Sequence, residues 1–283
     1  MKIVRFTGGL GNQMFQYAFY KSLKKNNQKV LADLSPFEGH ECHNGFELNH
    51  VFGIELNKAS KFIIDLYYTP NRKWLFRKLR RLLIMKNTHK EELNEFIFDE
   101  SFFTDRKSQI YSGYWQHERY LKDIDIREDF VFKKPLSTQN QQLKEKIEQT
   151  SSVSIHVRRG DYINHPLLGN ICDLQYYHSA IELIQSKVDN PVYYIFSNDI
   201  HWCKESLRLK NAIYIDWNTG NNSSIDLQLM SLCKHQIIAN SSFSWWAAWL
   251  NTNINKIIIA PQIWINGEKF RNIDIVPKSW IKI

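Results

Sequence analysis

The second half of the chain alternates short apolar runs with stretches in which apolar side chains recur at helical spacing. The runs are rich in β-branched and aromatic residues, which is typical of buried strands, and they lie at 152–157, 192–196, 212–215, 236–239 and 256–260. Helical spacing is found between them, at 173–187, 201–209, 224–233 and 243–250. Continuous apolar strands separated by helices indicate a doubly wound parallel sheet.

The first half begins in the same way and then becomes irregular. Its pattern predicts a helix at 12–26 and strands at 2–6, 29–33 and 109–115. The polar stretch at 133–142 contains a proline and predicts the boundary between two lobes, 1–140 and 141–283. We therefore expect an α/β protein of two Rossmann-like lobes facing across a cleft, with ligands bound beyond the carboxyl ends of the strands.

A glycine-rich loop follows the first predicted strand. Gly8, Gly9 and Gly11 precede Asn12 and Gln13, where a helical pattern begins. A strand, a glycine turn and a helix let backbone amides approach a phosphate or a sugar closely. The loop has neither the Gly-Lys-Ser/Thr of a Walker A motif nor the third glycine of a dinucleotide motif. A tight turn without a ligand is the alternative.

Two adjacent arginines, Arg158 and Arg159, follow the strand at 152–157, just after His156. A guanidinium group presents a planar fork that binds phosphate oxygens in pairs and keeps its charge. Asp161 could hold one arginine while the other faces a ligand. A purely structural Arg–Asp pair is the alternative.

Two further polar loops follow predicted strands. The first consists of Ser197, Asn198 and Asp199, and the second opens with Asn240 and Ser241 at the start of a predicted helix. Hydroxyls and amides at a helix start form an anion-binding site. Most of the aromatic residues that follow, at 243–249, are expected in the core, so the serines are the better binding candidates.

The positive charge of the chain is concentrated in one segment. The chain has 37 Lys and Arg against 29 Asp and Glu, a net charge of +8, and eight of the basic residues lie in 72–90 without an acidic one. The pattern at 71–86 predicts a basic amphipathic helix, which can lie on an anionic membrane surface. A surface helix packed on the first lobe is the alternative. No apolar run reaches the length that spans a bilayer.

Metal and disulfide chemistry are not indicated. The four cysteines are scattered without a C-x-x-C pair, which favours reduced thiols in the cytoplasm. The residues at 40–43, His-Glu-Cys-His, lack the H-E-x-x-H spacing of a zinc site. The only D-x-D, at 123–125, lies in a charged string. We predict no metal and no cofactor.

Taken together, the motifs at 8–17, 156–162 and 240–250 resemble the bacterial α-1,2-fucosyltransferases of glycosyltransferase family 11, with a weaker match at 113–116. The resemblance spans nearly the whole chain. It implies a GT-B-like fold and inverting, metal-independent transfer of L-fucose from GDP-β-L-fucose to the 2-hydroxyl of a terminal β-galactose. It also implies an acceptor-side first lobe, a donor-binding second lobe, and an O-antigen or lipopolysaccharide-type acceptor.

The resemblance further implies roles for individual residues. Arg158 would hold the donor's β-phosphate, His156 would lie near the ribose or guanine, and Asn12 would lie near the reacting centre. The expected catalytic residues are Arg158, Asp161 and Asn12. The expected donor-binding residues are Gly8, Gly9, Gly11, Asn12, Gln13, His156, Arg158, Ser197, Asn198, Asp199, Ser241, Ser242, Phe243 and Ser244.

The sequence leaves the general base open. Asp161 is the first choice among Asp161, Asp33, Glu47 and His156, and a phosphate oxygen of the donor is the alternative. Rival functions are transfer from another nucleotide sugar, nucleic-acid binding, and NAD-dependent oxidation. The excess positive charge is confined to one predicted helix, which counts against nucleic-acid binding. The missing dinucleotide motif counts against NAD-dependent oxidation. We expect no nucleic-acid partner, and a cytoplasmic location that is peripheral on the inner face of the plasma membrane.

Overall fold

The computed structural model describes residues 1–26, 29–39, 44–270 and 273–283. The chain divides into two compact units, Met1–Lys133 and Lys134–Ile283. Each unit is built on its own parallel sheet. The predicted α/β class with two Rossmann-like lobes is confirmed.

The first unit carries a four-stranded sheet. Its strands are β1 (Lys2–Arg5), β2 (Val30–Asp33), β3 (His89–Glu91) and β4 (Gln109–Ser112). They are parallel and lie in the order β2-β1-β4-β3. The helices of this unit are α1 (Leu10–Lys25), α2 (Leu48–Phe52), α3 (Lys61–Tyr67), α4 (Trp74–Leu82) and α5 (Ser101–Thr104), with 3₁₀ turns at Ser35–Phe37 and Glu118–Leu121.

Aromatic packing between α1 and the β4 region fills much of the core of this unit. The ring of Phe19 on α1 stacks on Trp115, with centroids 4.1 Å apart. Phe102 meets Tyr111 edge to face at 5.1 Å. Such pairs add to the stabilisation that burial of the rings already gives. They hold the start of α1 next to the loop that follows β4.

The second unit carries a six-stranded sheet. Its strands are β5 (Ser151–Val157), β6 (Pro191–Ser197), β7 (Ala212–Ile215), β8 (His235–Ile237), β9 (Ile258–Ala260) and β10 (Ile281–Lys282). Its helices are α6 (Thr138–Gln149), α7 (Leu174–Gln185), α8 (Ile200–Leu207), α9 (Ser223–Leu232) and α10 (Ser242–Leu250), with 3₁₀ turns at Gly220–Asn222 and Glu268–Phe270.

The strand order of this sheet fixes where a ligand can bind. All neighbours are parallel, in the order β10-β9-β8-β5-β6-β7. This is the order of a Rossmann fold, in which the chain winds outward from β5 in one direction and then restarts beside it at β8. Ligands of such sheets bind in the crevice at that switch point, beyond the carboxyl ends of the strands. The doubly wound prediction is confirmed.

The structure corrects some predicted boundaries. The units divide after Lys133 rather than at 140, because α6 starts at Thr138 with Ser137 as its cap and buries Leu143 and Ile147 in the second unit. The strand predicted at 109–115 stops at Ser112, since the chain turns there. The helix predicted at 71–86 spans only the residues of α4. The short strands β3 and β10 were not predicted.

Candidate active site

The loop after β5 supplies the arginine that the sequence singled out. Nη2 and Nε of Arg158 each donate to an oxygen of Asp161, both at 2.9 Å. The guanidinium also lies 5.6 Å from the ring centre of Tyr162. The side chain of Arg158 remains about a third exposed and lines a cavity of about 210 Å³ with Tyr162, Cys172 and Asn240. It can therefore reach a ligand at the switch point.

Arg159 has a different environment from its neighbour. Its Nε donates to Asp199 at 3.0 Å, and the guanidinium packs over the ring of Trp202 at 4.1 Å. Its backbone amide donates to Asn198 Oδ1 at 3.0 Å. A Cβ on Gly160 would lie 2.4 Å from the side-chain nitrogen of Asn198, so a larger residue there would require this side chain to shift.

The predicted residues 197–199 thus hold the arginine loop in place. Ser197 Oγ accepts the Asp199 amide at 2.9 Å, and Asp199 caps α8 by accepting from Trp202 N at 3.1 Å. The arginine that pairs with Asp161 is Arg158, whereas Arg159 pairs with Asp199. Direct contact of Ser197, Asn198 and Asp199 with the donor remains a prediction.

His156 lies at the end of β5, on the same edge. It is 7% exposed, and its Nδ1 is buried without a hydrogen-bond partner among the described residues. Burial, together with the positive charge of Arg158, lowers the pKa of His156 to about 3. The imidazole is therefore neutral at physiological pH. An unpaired buried nitrogen next to the switch point is a candidate ligand contact.

The start of α10 lies across the switch point, after β8. Ser241 caps the helix, because its Oγ accepts the Phe243 amide at 3.3 Å. Ser242 is the first helical residue and is partly exposed, and the Phe243 ring lies 5.8 Å from that of His156. Ser244 is fully buried and its hydroxyl lies within 3.4 Å of the carbonyls of Ala239 and Ser241, so its side chain supports the turn.

Asn240 joins this turn to the neighbouring loops. Its Nδ2 donates to the carbonyls of Leu168 and Trp264, each at 3.2 Å. The Tyr162 hydroxyl lies 3.5 Å from the Asn240 carbonyl. The loops after β5 and β8 are thus brought together at one edge. This edge has a guanidinium, a neutral imidazole and a helix N-terminus, a combination suited to a nucleoside diphosphate.

The glycine loop of the first unit lies at the corresponding edge of its sheet. Gly8 has φ +77°, and a Cβ there would lie 2.7 Å from Asn12 Nδ2. Gly9 is the N-cap of α1 without a capping side chain, and Gly11 is buried in the first turn. This arrangement matches the predicted strand–turn–helix geometry. Binding of a donor by Gly8, Gly9, Gly11 and Asn12 remains a prediction.

Gln13 has a structural environment instead of an open one. It is fully buried, and its Nε2 donates to the carbonyls of Gly8 and Gly45, both at 2.8 Å. Its Oε1 accepts the Glu47 amide at 2.8 Å. The Gln13 side chain thus ties the glycine loop to the segment before α2. If the Gln13 side chain bound the sugar nucleotide, it would have to give up one of these three hydrogen bonds.

The loop after β4 is held by Gln116, which lies in the weaker match at 113–116, and by Glu92, which sequence reasoning missed. Gln116 Nε2 donates to Asn12 Oδ1 at 3.0 Å, which fixes the predicted reacting-centre residue. Glu92 Oε2 accepts the backbone amides of Tyr114 and Trp115 at 2.7 and 2.8 Å. Burial is the main cause that raises the pKa of Glu92 to about 8.

Glu92 thus anchors the β4 loop, in which Trp115 is held at φ +50° and Gly113 has no room for a Cβ. Only the match at 113–116 pointed to this loop from the sequence. Nothing in the local pattern distinguished Glu92 from the other acidic residues near it.

The other base candidates are engaged within the first unit. Asp33 is fully buried, accepts from Arg5 Nη1 at 2.9 Å, and also accepts the Ser35 amide at 2.9 Å. Glu47 is buried and accepts from Asn44 at 3.2 Å. Both carboxylates are buried, whereas a base that meets an acceptor sugar on an open edge must be accessible. Asp161, half-exposed and paired with Arg158, remains the first choice.

Binding of a metal ion would require a group of His, Cys, Asp or Glu side chains. Among residues 1–26, 29–39, 44–270 and 273–283, no three His, Cys, Asp or Glu side chains are grouped to hold a metal ion. In the D-x-D segment, Lys25 and Lys21 donate to the backbone carbonyls of Asp123 and Asp125. The candidate at 40–43 lies outside the described residues. Metal independence remains a prediction.

Sequence comparisons identify the relatives of the chain. It is 33% identical to an α-1,2-colitosyltransferase of Escherichia coli, over 99% of this chain and 98% of that protein. It is 32% identical to the O-antigen biosynthesis glycosyltransferase WbnK of Escherichia coli, over 98% of each. It is 24% identical to the galactoside α-(1,2)-fucosyltransferase 2 of Rattus norvegicus, over 88% of this chain and 67% of that protein.

The fold has relatives among solved structures. The α-1,6-fucosyltransferase NodZ, soaked with GDP-fucose, superposes with a TM-score of 0.53 at 12% identity, over 88% of this chain and 92% of that one. This likeness confirms the GT-B-like fold class. The model of Glycosyl transferase family 11 matches residues 1–283. The chain therefore belongs to glycosyltransferase family 11.

Proposed function

We propose that the enzyme is an inverting, metal-independent α-1,2-fucosyltransferase. It moves L-fucose from GDP-β-L-fucose to the 2-hydroxyl of a terminal β-galactose in an O-antigen or lipopolysaccharide-type glycan. The observation that carries the proposal is the position of Arg158, at the switch point of a Rossmann-order sheet and on the same edge as the start of α10. The activities for which the relatives are named support the α-1,2 linkage and the fucose donor.

The chemistry requires that charge on the leaving nucleotide be neutralised. As the bond between the fucose anomeric carbon and the phosphate oxygen breaks, positive charge grows on the sugar and negative charge on GDP. The Arg158 fork and the backbone amides at the start of α10 supply fixed positive charge and donors for that phosphate. They perform the neutralisation that a metal ion performs in other transferases.

The acceptor hydroxyl attacks the opposite face of the anomeric carbon, and its proton needs an acceptor. In the structure both oxygens of Asp161 accept from Arg158. We propose that the donor phosphate takes over the guanidinium, which frees the Asp161 carboxylate to take the proton. The order of events ties the base to the bound donor, so that the base is released only when substrate is present.

A second donor is favoured by one specific observation. The relative at 33% identity over nearly the whole chain is a colitosyltransferase, whereas the fucosyltransferase relative is less similar. Colitose differs from L-fucose by the absence of one hydroxyl, at C3. Transfer from a colitose-carrying nucleotide on the same scaffold is therefore the second candidate.

A donor panel tests both candidates. Purified enzyme is incubated separately with GDP-fucose and GDP-colitose, with lactose or Galβ1-3GalNAc as acceptor, and the product linkage is determined by NMR. We expect fucosyl-α-1,2-galactose, formed equally well with EDTA present. Faster transfer of colitose would replace the first proposal by the second. Transfer of neither sugar, from enzyme that binds GDP, would contradict both.

The cellular location belongs to the same proposal. Free thiols fit a reducing cytoplasm, and the structure has them at Cys172, Cys203 and Cys233. Cys42 lies outside the described residues. No helix in the described part of the chain is long and apolar enough to cross a membrane. We propose a peripheral contact of residues 71–90 with the inner membrane surface.

A further inference from the structure

The outer side of α4 and the turn after it carries a cluster of exposed apolar side chains. Trp74, Leu75, Leu82, Leu83 and Ile84 are each between 52% and 79% exposed. We call these five residues the apolar edge. Single exposed apolar residues are ordinary on protein surfaces, whereas a contiguous group marks a binding surface.

The opposite side of α4 attaches the helix to its own unit. Phe76 is buried and its ring lies 5.7 Å from that of Phe62 on α3. The buried Arg80 donates to the carbonyls of Asp65 and Tyr68, both at 3.2 Å, and of Asn71 at 2.5 Å. A surface helix packed on the first lobe is the sequence-based alternative to membrane contact. That packing accounts only for the face of α4 that carries Phe76 and Arg80. It leaves the apolar edge turned outward.

Positive charge lies within and beside the apolar edge. Trp74, Lys78 and Leu82 are spaced four residues apart and form one stripe, in which Lys78 Nζ lies 5.2 Å from the Trp74 ring centre. Arg77 and Arg81 lie along one side of that stripe.

Two other lysines of the basic segment 72–90 are paired with carboxylates. Lys73 Nζ lies 3.8 Å from Asp65 Oδ2, and Lys90 Nζ lies 3.8 Å from Asp99 Oδ2. In the described part of the chain, the exposed basic residues of α4 and its flanking turns other than Lys73 have no such carboxylate. These residues are Arg72, Arg77, Lys78, Arg81 and Lys86.

We infer that the apolar edge inserts at the headgroup boundary of an anionic lipid bilayer, while the basic residues around it contact lipid phosphates. A bilayer surface is a partner that takes up aliphatic side chains and binds cations at the same place. A nucleic acid offers phosphates but no apolar medium for Leu82, Leu83 and Ile84. The docking itself does not depend on the donor sugar, whereas its advantage for a lipid-carried acceptor rests on the proposed function.

The contribution of the basic residues to membrane binding is tested by sedimentation with vesicles. The vesicles consist of phosphatidylcholine, with and without phosphatidylglycerol, and sedimentation is measured at low and high salt. The full chain should bind only the anionic vesicles. Arg77→Gln/Lys78→Gln/Arg81→Gln should weaken partitioning about a hundredfold, since each basic residue near the surface contributes about fivefold. The control with the same net charge, Arg106→Gln/Lys210→Gln/Lys278→Gln, should weaken it only a few-fold.

The apolar contribution is tested at constant charge. Leu82→Ser/Leu83→Ser should weaken vesicle binding about tenfold or more, because buried methylene groups contribute roughly fourfold each. The matched control is Leu93→Ser/Ile254→Ser, which changes side chains that are 91% and 97% exposed elsewhere. This control should bind vesicles as the unaltered chain does.

Four results would overturn the inference. They are no sedimentation with anionic vesicles at low salt, equal losses in the charge variant and its control, no loss in Leu82→Ser/Leu83→Ser, or binding to single-stranded DNA instead of vesicles. Transfer to lactose should be the same in all four variants and the unaltered chain. A missing transfer activity therefore tests the proposed function, and missing sedimentation tests the docking.

Discussion

Replacing Arg158 by alanine separates catalysis from stability. The Arg158–Asp161 pair is partly exposed, with side chains 31% and 53% accessible, so its loss should cost at most about 1 kcal/mol of folding free energy. Loss of a charged donor to the leaving phosphate should cost about 3–4 kcal/mol of transition-state stabilisation, a hundredfold or more in kcat/KM. The kinetic loss should therefore exceed the stability loss several-fold.

The assay compares kcat/KM for transfer to lactose with the urea midpoint of the same proteins. Arg158→Lys should recover little activity, because an ammonium group replaces a planar fork. Arg159→Ala is the matched control. Because Arg159 contacts Asp199 and Trp202, we expect this variant to lose stability. Near-normal kcat/KM in a folded Arg158→Ala would refute the role assigned to Arg158.

Three further predictions concern neighbouring residues. Because burial lowers the pKa of His156 to about 3 from an ordinary value of 6.5, the unfolded chain binds a proton that the folded chain does not, and stability should fall as pH drops through that window. His156→Gln should flatten this fall in urea midpoints measured between pH 7 and 5, and an unchanged slope would contradict the burial argument. Gly8→Ala should lower Tm more than Gly220→Ala, since both have positive φ but only Gly8 would place a Cβ 2.7 Å from Asn12, and equal shifts would contradict that contact. Asp161→Asn should lower kcat about 10²–10⁴-fold without weakening GDP binding, because the phosphate then no longer competes with a carboxylate for Arg158, and an unaffected kcat would assign the proton to another group.

The fold of the second unit could be predicted because its strands are buried on both faces. Six of the seven residues of β5 are buried, and Val153, Ile155 and Val157 mark the strand although Ser152, Ser154 and His156 interrupt the apolar run. The polar loop after the strand marks its end. The strands β3 and β10 carried no such signal. His89, Lys90 and Glu91 are polar, and they form a strand only because β4 offers an unpaired edge.

The candidate site was predictable in position more than in the role of each side chain. Arg158, His156 and the start of α10 lie on one edge, because strand ends and helix starts can be read from the sequence. Gln13 and Ser244 have the same polar character as a ligand contact, yet bond to backbone within their own units. Which polar groups bond to the protein and which face a ligand depends on tertiary contacts.

Titration calorimetry of GDP into the purified chain tests the central claim most directly. The account predicts saturable binding with one GDP per chain, which Arg158→Ala weakens strongly and Arg208→Ala, a change at an exposed arginine on the end of α8, leaves unchanged. No heat at millimolar GDP, or equal affinity in Arg158→Ala and the unaltered chain, would contradict it.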